Sequence, residues 1–327
     1  MTWLITGGAG YIGAHVVRAM TRAGERAVVY DDLSTGIADR VPDGVPLVVG
    51  STLDRERVAR ALAAHRITGV VHLAAKKQVG ESVDRPLLYY QENVEGLRVL
   101  LEAVTATSHV RSFVLSSSAA VYGMPDVDMV TEETPCAPIS PYGETKLAGE
   151  WLVRATGRAT GLSTASLRYF NVAGAAAPEL ADTGVFNIVP MVFEKLTQGE
   201  APRIFGDDYP TPDGTCVRDY IHVVDLAEAH VAAARALQSS PGHSLTLNIG
   251  RGEGASVREM IDLINAVTGY DRPPTVTPRR PGDPARVVAS ADRIATELGW
   301  KAKYDVRDMV TSAWDGWVRA HPGAARD

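Results

Sequence analysis

Tyr142 and Lys146 stand four residues apart in the run Pro141-Tyr-Gly-Glu-Thr-Lys146. On a helix, that spacing puts both side chains on one face. A free phenol titrates near ~10 and is a poor base at neutral pH. A neighbouring ammonium favours the phenolate, and so does an oxidised nicotinamide ring. The pair can therefore supply a general base near working pH; a Tyr-x-x-x-Lys spacing alone also fits a partly exposed helix start. The apolar run Phe113-Val114-Leu115 ends in Ser116-Ser117-Ser118. A serine at the C-terminal end of a strand points into the crevice where open α/β sheets bind ligands. Strand-end turn chemistry would account for the serines equally well.

A second pattern concerns phosphate. Glycines fall at 7, 10 and 13 in Gly7-Gly-Ala-Gly-Tyr-Ile-Gly13, directly after the apolar run Trp3-Leu4-Ile5. Gly7 permits a tight turn, Gly10 lets the backbone approach a pyrophosphate, and Gly13 lets the following helix pack close to the sheet. Backbone N–H groups at that helix N-terminus then face the anion. The acidic pair Asp31-Asp32 ends the next β-rich run. Asp31 falls where the ribose 2′-hydroxyl of a dinucleotide would be, and a carboxylate there repels a 2′-phosphate, which favours NAD over NADP. Asp32 fits a cofactor role and a solvated turn acid equally.

These residues need a scaffold, and the first half of the chain reads as one. Strands are expected at Thr2–Thr6, Ala27–Tyr30, Pro46–Val49, Gly69–Leu73, Phe113–Ser116 and Ser163–Leu167. Helices are expected at Tyr11–Ala23, Arg55–His65, Leu87–Val104 and Tyr142–Thr156. Strands apolar on both faces and alternating with helices imply a parallel sheet covered on both sides. The expected class is α/β, a doubly wound (Rossmann-like) parallel sheet with a smaller C-terminal substrate-binding lobe. Pro and Gly become dense after about Phe170, at 174–184, 202–214 and 273–284. The expected division is therefore 1–172 for NAD and 173–327 mainly for substrate, with segments free to cross back to the first domain. Loops of this kind commonly carry binding residues.

Composition bounds the partners. The chain has 327 residues, 45% hydrophobic and 22% charged, an ordinary globular balance. The net charge of -6 and pI near 5.8 argue against nucleic acid or an anionic membrane as partner. Cys136 and Cys216 are too few for a disulfide framework and too isolated for a zinc site, so no metal is expected. With no leader pattern and no bilayer-length apolar run, a cytoplasmic location is expected.

Taken together, the motifs resemble the extended short-chain dehydrogenase/reductases. Over nearly the full length the chain is most similar to the UDP-galactose (UDP-glucose) 4-epimerases of that family. The segments that carry this are "TGGAGYIGAH", "VVHLAAKKQVGESV", "PLLYYQENVEG", "SSSAAVYG", "SPYGETK" and "LRYFNVAGA", then "IFGDDYPTPDGTCVRDYIHVVDLAEAH" and "PRRPGDPA". The stretch "DYPTPDGTCVRDYIHV" is the most specific, separating epimerases from most other sugar-nucleotide members.

The resemblance implies NAD-dependent inversion at C4 of a UDP-hexose through a transient 4-keto sugar. It implies Tyr142 as base, Ser118, rather than its neighbours, as the serine that orients the hydroxyl, and Lys146 on the nicotinamide ribose. It implies pyrophosphate contacts from Tyr11 and Ile12 and ribose contacts from Asp31. Asp32, Ser34, Thr35, Gly36, Ser51 and Thr52 complete the adenosine side. Leu73, Ala74, Ala75 and Lys77 border the cofactor, with Phe170 near the nicotinamide. Lys77, Ser118, Tyr142, Asn171, Asn187, Arg218, Arg280, Asp283 and Val287 face the UDP-sugar. A planar guanidinium independently suits a diphosphate.

The chain departs from the pattern at two places. Gly50-Ser51-Thr52 replaces Gly-Asp-hydrophobic, so Ser51 is the candidate adenine contact, and Glu92-Asn93 replaces Asn-Asn. The alternative within the fold is a 4,6-dehydratase, which needs an acid and base beside the serine. Here those positions are Ala119 and Ala120, which transfer no proton. A non-enzymatic dinucleotide sensor could dispense with the Tyr-Lys pair. Val287 replaces the tyrosine that borders the sugar 2-substituent in members restricted to plain hexoses, which predicts some acceptance of N-acetylated sugars. A β-branched residue packed in the core would read the same way. A homodimer through the helices Leu87–Val104 and Tyr142–Thr156 is also implied.

Overall fold

The structure, a computed structural model, describes residues 1–280 and 282–324. Seven strands form one parallel sheet, in the order Ser244–Ile249, Ser163–Tyr169, Ser112–Ser118, Gly69–His72, Thr2–Thr6, Arg26–Asp31 and Leu47–Val49. Successive side chains of a strand point to opposite faces. Trp3, Ile5, Val29 and Val71 accordingly pack with Val16, Val17 and Met20 of the helix Tyr11–Arg22 and with Leu226 and Ala233 of the helix Val223–Ser239. Leu4, Val28, Val70 and Phe113 pack on the other face with Val58, Leu62, Leu97, Leu100 and Val153. Both faces are dry, so the strands read as continuous apolar runs. The strand order reverses between Thr2–Thr6 and Gly69–His72. Ligands of open α/β sheets bind at such a switch point, beyond the carboxyl ends of the strands.

Each of the six expected strands and the helices Tyr11–Arg22, Arg55–Ala64 and Pro141–Thr160 fall within a few residues of expectation. The expected helix Leu87–Val104 is interrupted. It runs as Pro86–Tyr89, a π-turn at Tyr90–Glu95, and Gly96–Thr105. The widened turn brings Asn93 inside, where its amide accepts from Lys76 N at 2.8 Å and donates to Lys76 O and Thr145 Oγ1, each at 3.0 Å. Single π-turns of this kind frequently sit at functional sites.

The chain also crosses back to the sheet. Strand Ser244–Ile249 pairs with Ser163–Tyr169 after the excursion through 170–243. The second lobe has its own core of Val189, Phe193, Leu196, Ile204, Met260, Ile264, Met309, Val310 and Trp317. It carries a small sheet of Asn171–Ala173, Val217–His222, Gly254–Ser256 and Arg286–Val287. No helix among the described residues is long and apolar enough to cross a membrane.

Candidate active site

The turn Gly7–Gly13 joins the first strand to the first helix. A Cβ on Gly13 would lie 2.0 Å from the Gly7 carbonyl oxygen, so only glycine lets the helix start so close to the turn. Gly10 caps that helix without any side-chain hydrogen bond, which leaves the first-turn N–H groups for an anion. Asp31 lies opposite, 6% exposed, accepting from Ala9 N at 3.0 Å and Leu33 N at 2.9 Å. Burial pushes its carboxyl up, and the two N–H donors pull it back.

These groups border a cavity of about 560 Å³. Gly7, Gly10, Tyr11, Ile12, Gly13, Asp31, Asp32, Ser34, Thr35, Gly36, Ser51, Thr52, Leu73, Ala74, Ala75 and Lys77, all expected at the cofactor, line it. The size, the uncapped helix end and the acid at the ribose position together fit a dinucleotide. Sequence reasoning missed Tyr30, Arg40, Lys76, Glu81 and Asp182 on this wall, and Phe186, which lines both this cavity and the next. Arg40 and Phe186 lie in turns with no motif to mark them. Glu92, flagged only as a departure, lines the cavity too.

Tyr142 begins the helix Pro141–Thr160. The Ser140 hydroxyl accepts from Gly143 N at 3.2 Å, and Pro141 stands in the first turn, both good helix starts. A Cβ on Gly143 would lie 2.6 Å from the Ala120 carbonyl oxygen. Glycine therefore lets the helix start rest on the turn Ala119–Tyr122 that follows Ser118. The contact brings half-buried Tyr142 to Ser118, whose hydroxyl hydrogen-bonds to the phenol. Lys146 is buried and donates from Nζ to the Ser116 carbonyl at 3.0 Å, with Nζ 5.8 Å from the centre of the Tyr142 ring.

The electrostatics differ from expectation in one respect. Burial raises the Tyr142 phenol, and the Ser118 hydrogen bond only partly offsets this. Burial also lowers the Lys146 ammonium to about 8. The ammonium spends its short contact on a carbonyl, so the protein alone does not deliver a depressed phenol. Tyr142, Lys146 and Ser118 lie just beyond the cavity lining, joined to it by Ser116.

A second cavity, about 400 Å³, opens in the other lobe. Asn171, Asn187, Arg218, Arg280 and Asp283 line it, as expected for the sugar nucleotide. Arg218 pairs with Asp283, and the Arg280 guanidinium stacks 3.7 Å over the Phe205 ring. Pro281 lies outside the described residues. Phe170 and Val287 line neither cavity. They pack together with Tyr122, Val130 and Leu147 in a small buried cluster behind the Tyr142 helix.

The model of the NAD dependent epimerase/dehydratase family matches residues 3–250. The chain is 45% identical over 321 residues to the UDP-glucose 4-epimerase of Azospirillum brasilense, covering 97% of this chain and 92% of that relative. Its structure is similar to the UDP-glucose 4-epimerase of Stenotrophomonas maltophila with bound NAD and formylated UDP-arabinopyranose. That likeness has a TM-score of 0.94 at 40% identity, over 99% of this chain and 100% of the other. A Bifidobacterium longum UDP-glucose 4-epimerase, solved with NAD+ and UDP, gives 0.90 at 36% identity, over 99% and 100%.

Two substitutions test the site. Tyr142→Phe keeps the ring and removes the acidic hydroxyl. Turnover should fall about 100-fold or more, with UDP affinity retained because the arginines lie in the other cavity. Lys146→Met removes a cation near a phenol that burial already raises, so the acid limb of the pH–rate profile should move to higher pH. An unmoved limb, or full turnover in Tyr142→Phe, would remove that residue from the chemistry.

Proposed function

The chain belongs to the NAD dependent epimerase/dehydratase family, and from that premise we propose that it interconverts UDP-galactose and UDP-glucose by inverting C4 of the sugar. When bound, NAD would supply the hydride acceptor and donor for C4, by way of a transient 4-keto sugar. The chain's own groups do the rest. Tyr142 takes the proton of the 4-hydroxyl and later returns it. Ser118 orients that hydroxyl and shares its hydrogen bond with the phenol. Lys146 holds the nicotinamide ribose and keeps positive charge near Tyr142. Phe170 backs the nicotinamide end, and Asp31 takes the adenosine ribose. Asn171, Asn187, Arg218, Arg280 and Asp283 hold the UDP-sugar. Residues 1–172, with the returning strand Ser244–Ile249, form the NAD side, and the remainder mainly the sugar side.

The observation that carries the reading is the junction of the two cavities. Phe186 lines both, and the Tyr142–Ser118–Lys146 group is tied to the first through Ser116. A dehydratase would need a proton donor and acceptor beside Ser118. Ala119 and Ala120 occupy those places, and Ala120 offers only its backbone N–H, 3.2 Å from the Ser118 hydroxyl.

A homodimer is supported by exposed apolar side chains on neighbouring helices. Val83, Leu87, Tyr90 and Trp151 are 61%, 83%, 41% and 55% exposed. Contiguous patches of this kind mark association surfaces. Sedimentation of a monomer at micromolar concentration would overturn the dimer. A reducing cytoplasm suits the two unpaired thiols, Cys136 and Cys216.

The purified protein should convert UDP-galactose to UDP-glucose with no added cofactor, and denaturation should release NAD(H). Release of NADP(H) would contradict the role of Asp31, and absence of conversion would contradict the activity. Val287 concerns substrate range. Its backbone pairs with Arg218 and its side chain is 8% exposed against Phe170. A tyrosine ring there would overfill the cluster, and we infer that it turns toward the sugar. Wild type is expected to epimerise UDP-N-acetylglucosamine alongside UDP-glucose, and Val287→Tyr to lose only the former. Equal activity of both proteins on the N-acetylated sugar would show that Val287 is no gate.

A further inference from the structure

Arg40 closes the short turn Ala38–Arg40 beyond Asp31, and no phosphate motif calls for it. It is 4% exposed, yet it lines the dinucleotide cavity together with Gly10, Tyr11 and Gly13. One terminal nitrogen donates to the Ala181 carbonyl at 2.5 Å. Nε is sealed from solvent with no partner. The other terminal nitrogen has no protein partner among the described residues and is not sealed, so it is the donor left for a ligand. Arg40 stands near enough to Tyr11 and Asp182 to exchange charge effects with both. It forms no ion pair with Asp182 or with any other carboxylate among the described residues.

A guanidinium held this deep with no carboxylate in direct contact is costly unless another anion joins it. The neighbouring helix Tyr11–Arg22 presents its uncapped N-terminus to the same cavity. An anion between the two would meet backbone N–H groups on one side and a planar cation on the other. We propose that Arg40 is a ligand of the cofactor's diphosphate, fixed from behind by the second lobe through Ala181. The proposal rests on the reading that this cavity takes NAD.

The anchoring has a consequence. Ala181 follows the turn Pro178–Leu180, and a Cβ on Gly316 would lie 2.1 Å from the Ala181 Cβ, so this segment is packed firmly on the helix Val306–Ala320. Asp182, Thr183 and Gly184, which come next, line the same cavity. Arg40 thus ties the turn after Asp31 to Ala181, next to the residues 182–184 that line the cavity. Escape of the dinucleotide requires breaking both its contact to Arg40 and the tie to Ala181. That suits an enzyme whose nicotinamide is restored within each turnover.

The test loads purified wild type, Arg40→Gln and Arg40→Lys with labelled NAD and follows its release, then its displacement by ADP-ribose and by adenosine. Losing one charge-assisted hydrogen bond should speed NAD release and weaken ADP-ribose by about 10- to 100-fold in Arg40→Gln. Arg40→Lys should fall between, since it keeps the charge without the fork. Adenosine, which lacks the diphosphate, should compete equally with all three proteins, and UDP affinity should be unchanged. Unaltered NAD release in Arg40→Gln overturns the proposal. So does an equal loss of adenosine or UDP binding, which would show that Arg40 only shapes the walls. A wild type that binds no NAD overturns the underlying reading, and this proposal with it.

Discussion

A buried ammonium beside a half-buried phenol is the constraint on which the site depends. Removing Lys146 from water lowers its pKa to about 8, and one carbonyl, that of Ser116, is its short-range compensation. Such an ammonium still carries most of its charge at neutral pH. Burial meanwhile raises the Tyr142 phenol. An oxidised nicotinamide ring would favour the phenolate, while Lys146 keeps its tie to the Ser116 carbonyl. The free protein thus holds the phenol protonated beside a charged ammonium.

Holding that state needs a rigid helix at the end of the sheet. Ser140 caps it and Gly143 seats it on the turn after Ser118. Asn93 ties Thr145 to the cofactor loop through Lys76. One turn beyond Lys146, Glu150 pairs with Arg168 through contacts of 2.9 and 2.7 Å and accepts from the Ser117 hydroxyl. Arg168 also reaches Tyr122, which donates to Asn248 at 2.6 Å. These links join the helix to the strands Ser112–Ser118, Ser163–Tyr169 and Ser244–Ile249. Breaking one partner of such a buried pair would leave an uncompensated charge, so its members act as a unit.

Much of this was legible in the sequence because local chemistry dictated it. Short apolar runs alternating with helical stretches point to parallel strands covered on both faces, and the glycine turn and Tyr142-x-x-x-Lys146 carry their geometry in their spacing. The seventh strand was not legible. Ser244, Thr246 and Asn248 alternate with Leu245, Leu247 and Ile249, a pattern that suggests a half-wet strand. Asn248 is in fact fully buried and satisfied by Tyr122 and the Val130 carbonyl. The π-turn at Tyr90–Glu95 was hidden because no residue type in that stretch distinguishes a widened turn from an ordinary helical one. Arg40, Asp182 and Phe186 were invisible for a different reason. They reach the cavity only when two distant parts of the chain fold together. The elevated phenol was also beyond sequence reasoning, since spacing reveals a neighbouring charge but not the loss of water.

The central claim is that hydride leaves C4 and returns to C4 without leaving the protein. The most direct measurement uses UDP-galactose carrying deuterium at C4, converted in ordinary water, with the UDP-glucose product analysed by NMR. Deuterium should remain at C4 with inverted configuration, and none should appear in solvent. Loss of the label to water would contradict the claim, because that result requires the C4 hydrogen to depart as a proton.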